Sequence, residues 1–392
     1  MTGPVLLVTP RWTRDGGVAT HVMASAAALA AHGIEVHVLA ARIDPNERTP
    51  GISFHQSSDL FNCDATPQRR VGEALARVPD VIHFHQFEDP DVAAQLQQIA
   101  PVLVSVHGYS ACTSAVHYFQ PGQECDRPHG PGCVPNLLVR GCAHTRNPSW
   151  LPGSFQRATR SVRLLQQADM TISYSSVIDR HLRVNGVERR ALAPLFSTLP
   201  LTDPAPHEDR RRVVFAGRVV RPKGVQVLVR AARELDAEVV ICGDGRDLQS
   251  MRSLASRLGV EDRISFRGWL TAAALAAELA QASVVAIPSL WPEPFGLVGI
   301  ETFALGRPVV ASATGGIGDW LEHEASGLQV PPGNARALAS ALRELLDDPE
   351  RQRTMGAAGR ESVEARFTAA HHVTALLAAY ESARTTWEGR RR

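Results

Sequence analysis

Short, mostly apolar runs punctuate the first half of the chain: Val5–Thr9, Val36–Ala40, Val81–Phe84, Val102–Val106 and Thr171–Tyr174. Runs of this length bounded by turn-formers predict strands, and strands with no polar face belong to parallel sheets covered on both sides. Between the first two lie Gly16-Gly17 and then the Ala-rich segment Val18–Ala31, which has high helix propensity. Leu199–Arg210, with three prolines and almost no periodicity, predicts a link between two folded bodies. The pattern then restarts with Val213–Phe215, Val239–Ile241, Ile264–Phe266, Val284–Ile287, Pro308–Ala311 and Leu328–Val330. Apolar residues at three- and four-residue spacing over Ala337–Leu346 and Glu361–Arg384 predict closing helices, the last of them bracing both bodies. The expected fold class is α/β, with two doubly wound parallel-sheet domains facing a cleft. The first covers residues 1–198 with an irregular insertion at about 108–150. The linker is 199–210, the second domain 211–365, and a C-terminal helix over 366–392 crosses back to the first domain.

A length of 392 residues agrees with two or three domains at roughly 150 residues each. An apolar content of 44% and a charged content of 21% exclude a disordered or collagen-like chain. Lys plus Arg (41) and Asp plus Glu (40) nearly cancel, so no global field points to nucleic acid, and any anionic partner needs a local site. VLLVTP at the start is far shorter than a signal-peptide core, and no stretch approaches the ~18 apolar residues of a membrane span. A cytoplasmic protein is expected, with a peripheral membrane contact left open. Arg390, Arg391 and Arg392 read as a solvated end rather than a binding tail.

The densest chemistry lies in PSLWPEPFGLVGIETFALGRPVVASATGG, Pro288–Gly316. A helix starting near Phe295 or Gly296 would turn its free amides and positive dipole end toward an anion or sugar hydroxyls. Glu293 before that helix and Glu301 inside it could accept hydrogen bonds from two polyol groups of one extended ligand. Two isolated acids would more often be surface residues. In VVFAGRVVRPKG, Arg218 ends a strand and Lys223 follows in a Pro-Lys-Gly turn, a spacing that lets both reach a diphosphate. Asp15-Gly16-Gly17 sits between strand and helix, where glycine amides can approach a phosphate. Neither that loop nor Gly243-Asp244-Gly245 has GxGxxG spacing, which disfavours a nicotinamide enzyme. His107, at the end of VLVSV, stands at the rim of the proposed cleft, with a plain structural role equally weighted.

Together, EPFGLVGIE, the GR and PKG pair, the early GGV loop and the strand-end His-Gly resemble the retaining glycosyltransferase family 4, the group 1 glycosyltransferases of GT-B fold. The resemblance covers nearly the whole chain and implies two Rossmann-like domains, an acceptor side in the first and a nucleotide-sugar site in the second. It implies a transferase moving a sugar from a nucleotide-diphosphate sugar to a hydroxyl-bearing acceptor, whether a glycan, a lipid-linked glycan or a small natural product. In that reading Arg218 and Lys223 bind and stabilise the leaving diphosphate. Glu293 and the backbone of Phe295, Gly296 and Leu297 hold the donor sugar, Glu301 holds the ribose, His107 contacts the sugar, and Gly16-Gly17 closes over phosphate or acceptor. Front-face transfer needs no dedicated protein base, and no cofactor is implied for catalysis. The alternatives are a GT-B sugar-nucleotide epimerase or phosphorylase and a catalytically silent sugar-nucleotide-binding scaffold subunit.

Cys112, Cys125, Cys133 and Cys142, with gaps of twelve, seven and eight residues, crowd into the insertion. Four thiolates could hold a structural zinc, with His117, His129 or His144 standing in for one of them, and an iron–sulfur cluster is the more distant choice. The spacing lacks a CxxC pair, so free buried thiols remain the alternative. The insertion would shape the acceptor side.

Overall fold

In the computed structural model of the protein, the described residues are 3–13, 16–57, 78–86, 89–114, 124–139, 142, 148–201 and 211–391. They form two packed units, one from the described residues of 3–114, 126–195 and 369–391, the other from 211–368 and 196–201 together with 124–125. Of the expected linker, 202–210 lies outside the described residues.

The first unit is a seven-stranded, all-parallel sheet in the order β3-β2-β1-β4-β5-β6-β7. Its strands are β1 (Val5–Trp12), β2 (Val36–Ile43), β3 (Ile52–Gln56), β4 (Val81–His85), β5 (Val102–Val106), β6 (Met170–Ser173) and β7 (Arg190–Leu192). The helices are α1 (Gly17–Ala31), α2 (Pro90–Leu96), α3 (Cys133–Val139), α4 (Leu151–Gln167) and α5 (Ser176–Val184). β3 and β7 are edge strands that the hydrophobic pattern does not reveal, because an edge strand is only half covered.

The second unit is six-stranded and also parallel, in the order β10-β9-β8-β11-β12-β13. Here β8 is Arg212–Ala216, β9 Glu238–Cys242, β10 Ile264–Gly268, β11 Val284–Ile287, β12 Val309–Ser312 and β13 Gly327–Val330. Its helices are α6 (Val225–Ala231), α7 (Leu248–Arg257), α8 (Ala272–Ala280), α9 (Leu297–Ala304), α10 (Ala335–Leu346) and α11 (Pro349–Arg366). Strand order reverses between β1 and β4 in one sheet and between β8 and β11 in the other, and in doubly wound sheets ligands bind at the carboxyl ends on either side of such a reversal.

The continuous helix expected over Glu361–Arg384 is two helices, α11 and α12 (Ala369–Arg391), broken at Phe367-Thr368. α12 returns to the first unit. Val373, Leu376, Ala379, Tyr380 and Ala383 share one face and bury it with Val22, Met23, Ala26 and Leu29 of α1 in one core. Among the described residues no helix is long and apolar enough to cross a membrane.

Arg390 and Arg391 are exposed, as expected of a solvated end, yet both also bond to the first unit. Arg390 is ion-paired with Asp169, a fully buried carboxylate that also accepts hydrogen bonds from the Val102 amide at 2.9 Å and Gln97 Nε2 at 3.1 Å. Trp387 Nε1 donates to Gln97 O at 2.6 Å, and Arg391 reaches Gln98 O at 3.2 Å. Replacing Arg390 with alanine should cost about 2 kcal/mol, because a buried anion loses its cation. A shift in the urea midpoint measures this, and an unshifted midpoint would show the pair to be neutral.

Candidate active site

At the reversal in the second sheet, the loops after β8 and β11 are pressed together. Gly224, in the left-handed region at φ 74°, packs so closely that a Cβ would lie 1.7 Å from the Pro288 carbonyl oxygen. The Leu290 amide donates to Pro222 O at 2.8 Å. These contacts set Lys223, 70 residues earlier in sequence, against Glu293: Nζ donates to Oε1 at 2.8 Å and to Oε2 at 3.0 Å. Ser289 Oγ donates to the same carboxylate at 2.5 Å, and the ammonium lies 5.7 Å from the centre of the Trp291 ring. Glu293 is 2% exposed and Lys223 24% exposed, so the carboxylate is interior while the ammonium still meets solvent.

Burial alone would raise the Glu293 carboxyl, but the Lys223 charge and hydrogen bonds from Lys223, Ser289 and Trp291 outweigh it and hold it below its ordinary range. The backbone is pinned as well. The Gly316 amide donates to Glu293 O at 2.7 Å, and Gly315 sits at φ 61° where a Cβ would lie 2.3 Å from that oxygen.

α9 starts at Leu297, slightly later than expected, after Gly296 at φ 90°, and no side chain caps it. Phe295 is buried and its carbonyl accepts from Trp320 Nε1 at 2.7 Å, so that oxygen is already engaged and the expectation that the whole Phe295 backbone holds sugar hydroxyls narrows to its amide side. Glu301 lies within α9, where burial pushes its carboxyl up to about 7 against the opposing effect of a 2.6 Å hydrogen bond from Thr198 Oγ1. Arg218 is exposed just past the carboxyl end of β8; its carbonyl accepts the Val220 amide at 2.9 Å, and its guanidinium makes no hydrogen bond or ion pair among the described residues.

In the first unit, Gly16 caps α1 at φ 121° and Gly17 begins it, and nothing crowds the Cβ position of either. Asp15 lies outside the described residues. His107, itself half-buried, follows β5 and joins an otherwise buried array that the sequence analysis missed. His85 Nδ1 meets His107 Nε2 at 3.1 Å, and Tyr174 stacks on the His107 ring with centroids 4.8 Å apart. His83 Nδ1 meets Tyr380 OH at 2.9 Å and its Nε2 meets Ser105 Oγ at 2.7 Å. Ser105 Oγ meets Tyr174 OH at 2.6 Å, while Ser25 Oγ bridges His21 Nε2 at 3.2 Å and His372 Nε2 at 2.9 Å.

The imidazoles are held neutral. Burial first, then neighbouring imidazoles, lowers His83 and His107 to about 3. Burial lowers His372 to about 4 against a hydrogen bond to Pro194 O. Burial followed by like-charge neighbours lowers His21 and His85 well below the usual histidine range. The available signal was HFH in β4: two polar residues at i and i+2 point to one face of an otherwise apolar strand.

The four cysteines of the zinc expectation, Cys112, Cys125, Cys133 and Cys142, all lie among the described residues. Among the described residues no three His, Cys, Asp or Glu side chains gather as a metal site. Cys112 Sγ lies 3.3 Å from Ser114 Oγ, Cys133 Sγ faces Pro128 O at 4.0 Å, and Cys125 and Cys142 are half-buried. Both ring nitrogens of His129 are taken by hydroxyls, Thr113 at 3.0 Å and Thr159 at 2.8 Å, while His117 and His144 lie outside the described residues. Hydrogen bonds tie the insertion down. Arg157 donates to Ser110 O and Cys112 O at 3.0 and 2.9 Å, and the His129 amide donates to Asn185 Oδ1 at 2.7 Å.

Comparison with known proteins finds two family models that match in succession: "Glycosyltransferase Family 4" over residues 15–193 and "Glycosyl transferases group 1" over residues 202–362. The chain is 28% identical over 377 residues to the D-inositol 3-phosphate glycosyltransferase of Arthrobacter sp., covering 88% of this chain and 85% of that one. It is 38% identical over 170 residues to the GDP-mannose-dependent alpha-(1-6)-phosphatidylinositol monomannoside mannosyltransferase of Mycobacterium tuberculosis, covering 41% of this chain and 44% of that one. Among solved structures, the sucrose-phosphate synthase of Thermosynechococcus elongatus superposes with a TM-score of 0.72 at 26% identity, over 95% of this chain and 97% of that one.

Proposed function

Because the chain belongs to the group 1 glycosyltransferases of GT-B fold, enzymes that use nucleotide-sugar donors, we propose that it transfers a sugar from a nucleoside diphosphate to an acceptor hydroxyl with retention at the anomeric carbon. The observation that supports this reading is the Lys223–Glu293 pair where strand order reverses between β8 and β11.

As the bond from the anomeric carbon to the phosphate oxygen breaks, negative charge collects on the diphosphate. Lys223 and the exposed Arg218 meet that charge, and their attraction to it is stronger in the transition state than in the ground state. Glu293, held ionised, keeps an anionic acceptor beside Lys223 and takes a hydrogen bond from a sugar hydroxyl through its remaining lone pairs. The first-turn amides of α9 from Gly296 and Leu297 serve further sugar oxygens. Glu301 accepts from the ribose hydroxyls, which favours its ionised form. The acceptor oxygen bonds to the anomeric carbon on the face the phosphate leaves, and the acceptor proton passes to a departing phosphate oxygen. In the first unit, His107 and Gly16-Gly17 are the groups of this proposal that meet ligand. Two relatives carry inositol in their names, so a cyclitol-bearing acceptor joins glycans and lipid-linked glycans among the candidates.

A thermal-shift series with UDP-, GDP-, ADP- and dTDP-sugars tests the donor. A nucleotide sugar at a hundred times its Kd adds about 2.7 kcal/mol, and one nucleotide should raise the melting temperature of the second unit by about 5–11 °C. Turnover with that donor and a panel of hydroxyl acceptors should follow. Binding without turnover against every acceptor would favour the scaffold reading, and no shift with any donor would end the proposal.

A further inference from the structure

His107 is the one candidate residue of the first unit whose side chain is built into a network, and that network reaches the other end of the chain. Its Nε2 is engaged by His85 Nδ1 at 3.1 Å, one ring face is stacked on Tyr174, and His21 stands edge-on with centroids 6.1 Å apart. Nδ1 has no hydrogen-bond partner among the described residues. Behind it, hydrogen bonds run from Tyr174 OH to Ser105 Oγ, from Ser105 Oγ to His83 Nε2, and from His83 Nδ1 to Tyr380 OH on α12. The His83 and His85 rings are 4.2 Å apart, so the two branches touch.

A neutral imidazole carries one N–H and one bare nitrogen. In a chain in which His83 bonds a hydroxyl on each side, the hydroxyl protons must all point the same way along it. Reversing one therefore requires reversing the rest, and such chains reinforce each other's polarity. The His85–His107 contact obeys the same rule, since a 3.1 Å bond between two neutral rings needs one donor and one acceptor.

We propose that His85 and Tyr174 are positioning residues that hold His107 in a single neutral tautomer and ring orientation, leaving Nδ1 as the nitrogen that meets the ligand, and that Tyr380 on the C-terminal helix anchors the array. The sequence places Tyr380 in a helix 273 residues after His107, yet it belongs to the support of the same side chain. The consequence for the reaction rests on the glycosyltransferase reading, whereas the tautomer does not.

The test uses full-length protein with 15N-labelled histidine rings, with His107→Gln identifying the His107 signals. In the wild type, His107 should show one bare and one protonated ring nitrogen with constant shifts from pH 8 to pH 6. In His85→Leu the two nitrogens should move toward averaged values. Tyr380→Phe should give a smaller change. His85→Asn, whose amide can replace Nδ1 as hydrogen-bond partner, should restore separated shifts and keeps the test valid if the leucine variant folds poorly. With a donor that turns over, His85→Leu should lower kcat about tenfold to a hundredfold with donor KM changed less than threefold, and His85→Asn should recover most of it. Averaged His107 shifts in the wild type, or unchanged shifts in both His85→Leu and Tyr380→Phe, would overturn the proposal. A locked tautomer in a chain that transfers no sugar would overturn the transferase reading alone.

Discussion

Replacing Lys223 with methionine should lower kcat about a hundredfold to a thousandfold, the loss typical when one preorganised group facing developing negative charge is removed. Methionine keeps much of the aliphatic stem against Trp291 and removes only the ammonium. The same change strands Glu293, which is 2% exposed and would become an interior carboxylate without its cation. Breaking such a pair costs about 3–5 kcal/mol when both partners are interior, and less here because Lys223 keeps some water contact. Lost activity could therefore come from lost folding. The double variant Lys223→Met with Glu293→Gln separates the two, since a neutral amide needs no cation: stability should return while turnover stays low. Glu293 also fixes the pH range of the assay. Its folded value lies below its unfolded one, so its contribution to stability is present above about pH 4.5 and lost as pH falls through the folded value. Between pH 6 and 8 the carboxylate is ionised and the comparison is clean. Folded Lys223→Met protein with wild-type turnover would remove the leaving-group role and with it the main support for the proposed chemistry.

Central strands were readable because both faces are covered: Val102–Val106 is apolar or small at every position and is β5 in full. Edge strands were not. Ile52–Gln56 is half-exposed along its length and β7 has three residues, so neither carries a buried run. The break at Phe367 was invisible to periodicity because Phe367 is itself apolar and buried. What stops α11 is tertiary, with Phe367 O accepting the Ser197 amide at 3.1 Å. In the second unit the sequence named Lys223, Glu293 and Glu301 from separate motifs, and the adjacency of β8 and β11 brings Lys223 against Glu293. For the histidine array the readable spacing was confined to His83 and His85, at i and i+2 of β4. His21, His83, His85, His107 and His372 come from α1, β4, the end of β5 and α12: the pairing of β4 with β5 and the packing of α1 gather the first four, and the return of the last helix adds His372.

Acid should undo the first unit well before ordinary carboxylate titration begins. In the unfolded chain a histidine takes up a proton near pH 6.5, while in the fold His83 and His107 do so only near 3 and His372 near 4. Between those values the unfolded state binds more protons, so unfolding free energy rises with pH and is lost as pH falls from 6.5. Each such histidine contributes up to about 1.4 kcal/mol per pH unit, and three together remove on the order of 5 kcal/mol between pH 7 and pH 5. His21 and His85 shift in the same direction and add to the slope. A domain holds about 5–15 kcal/mol in all, so at pH 5 the first unit should be near its unfolding threshold. The second unit moves the other way. Glu301 titrates near 7 in the fold, above its unfolded value, so the folded state holds the extra proton between about 4.5 and 7 and gains stability as pH falls through that window. Calorimetry at pH 7 and pH 5 should therefore show two transitions drawing apart, with proteolysis at pH 5 confined to the first unit. His83→Gln, which retains hydrogen-bonding groups without a titrating ring, should reduce the pH slope of the first transition by about 1.4 kcal/mol per unit. A first transition with the same midpoint at both pH values would mean that the five imidazoles are not buried neutral, and the tautomer assigned to His107 would fall with them.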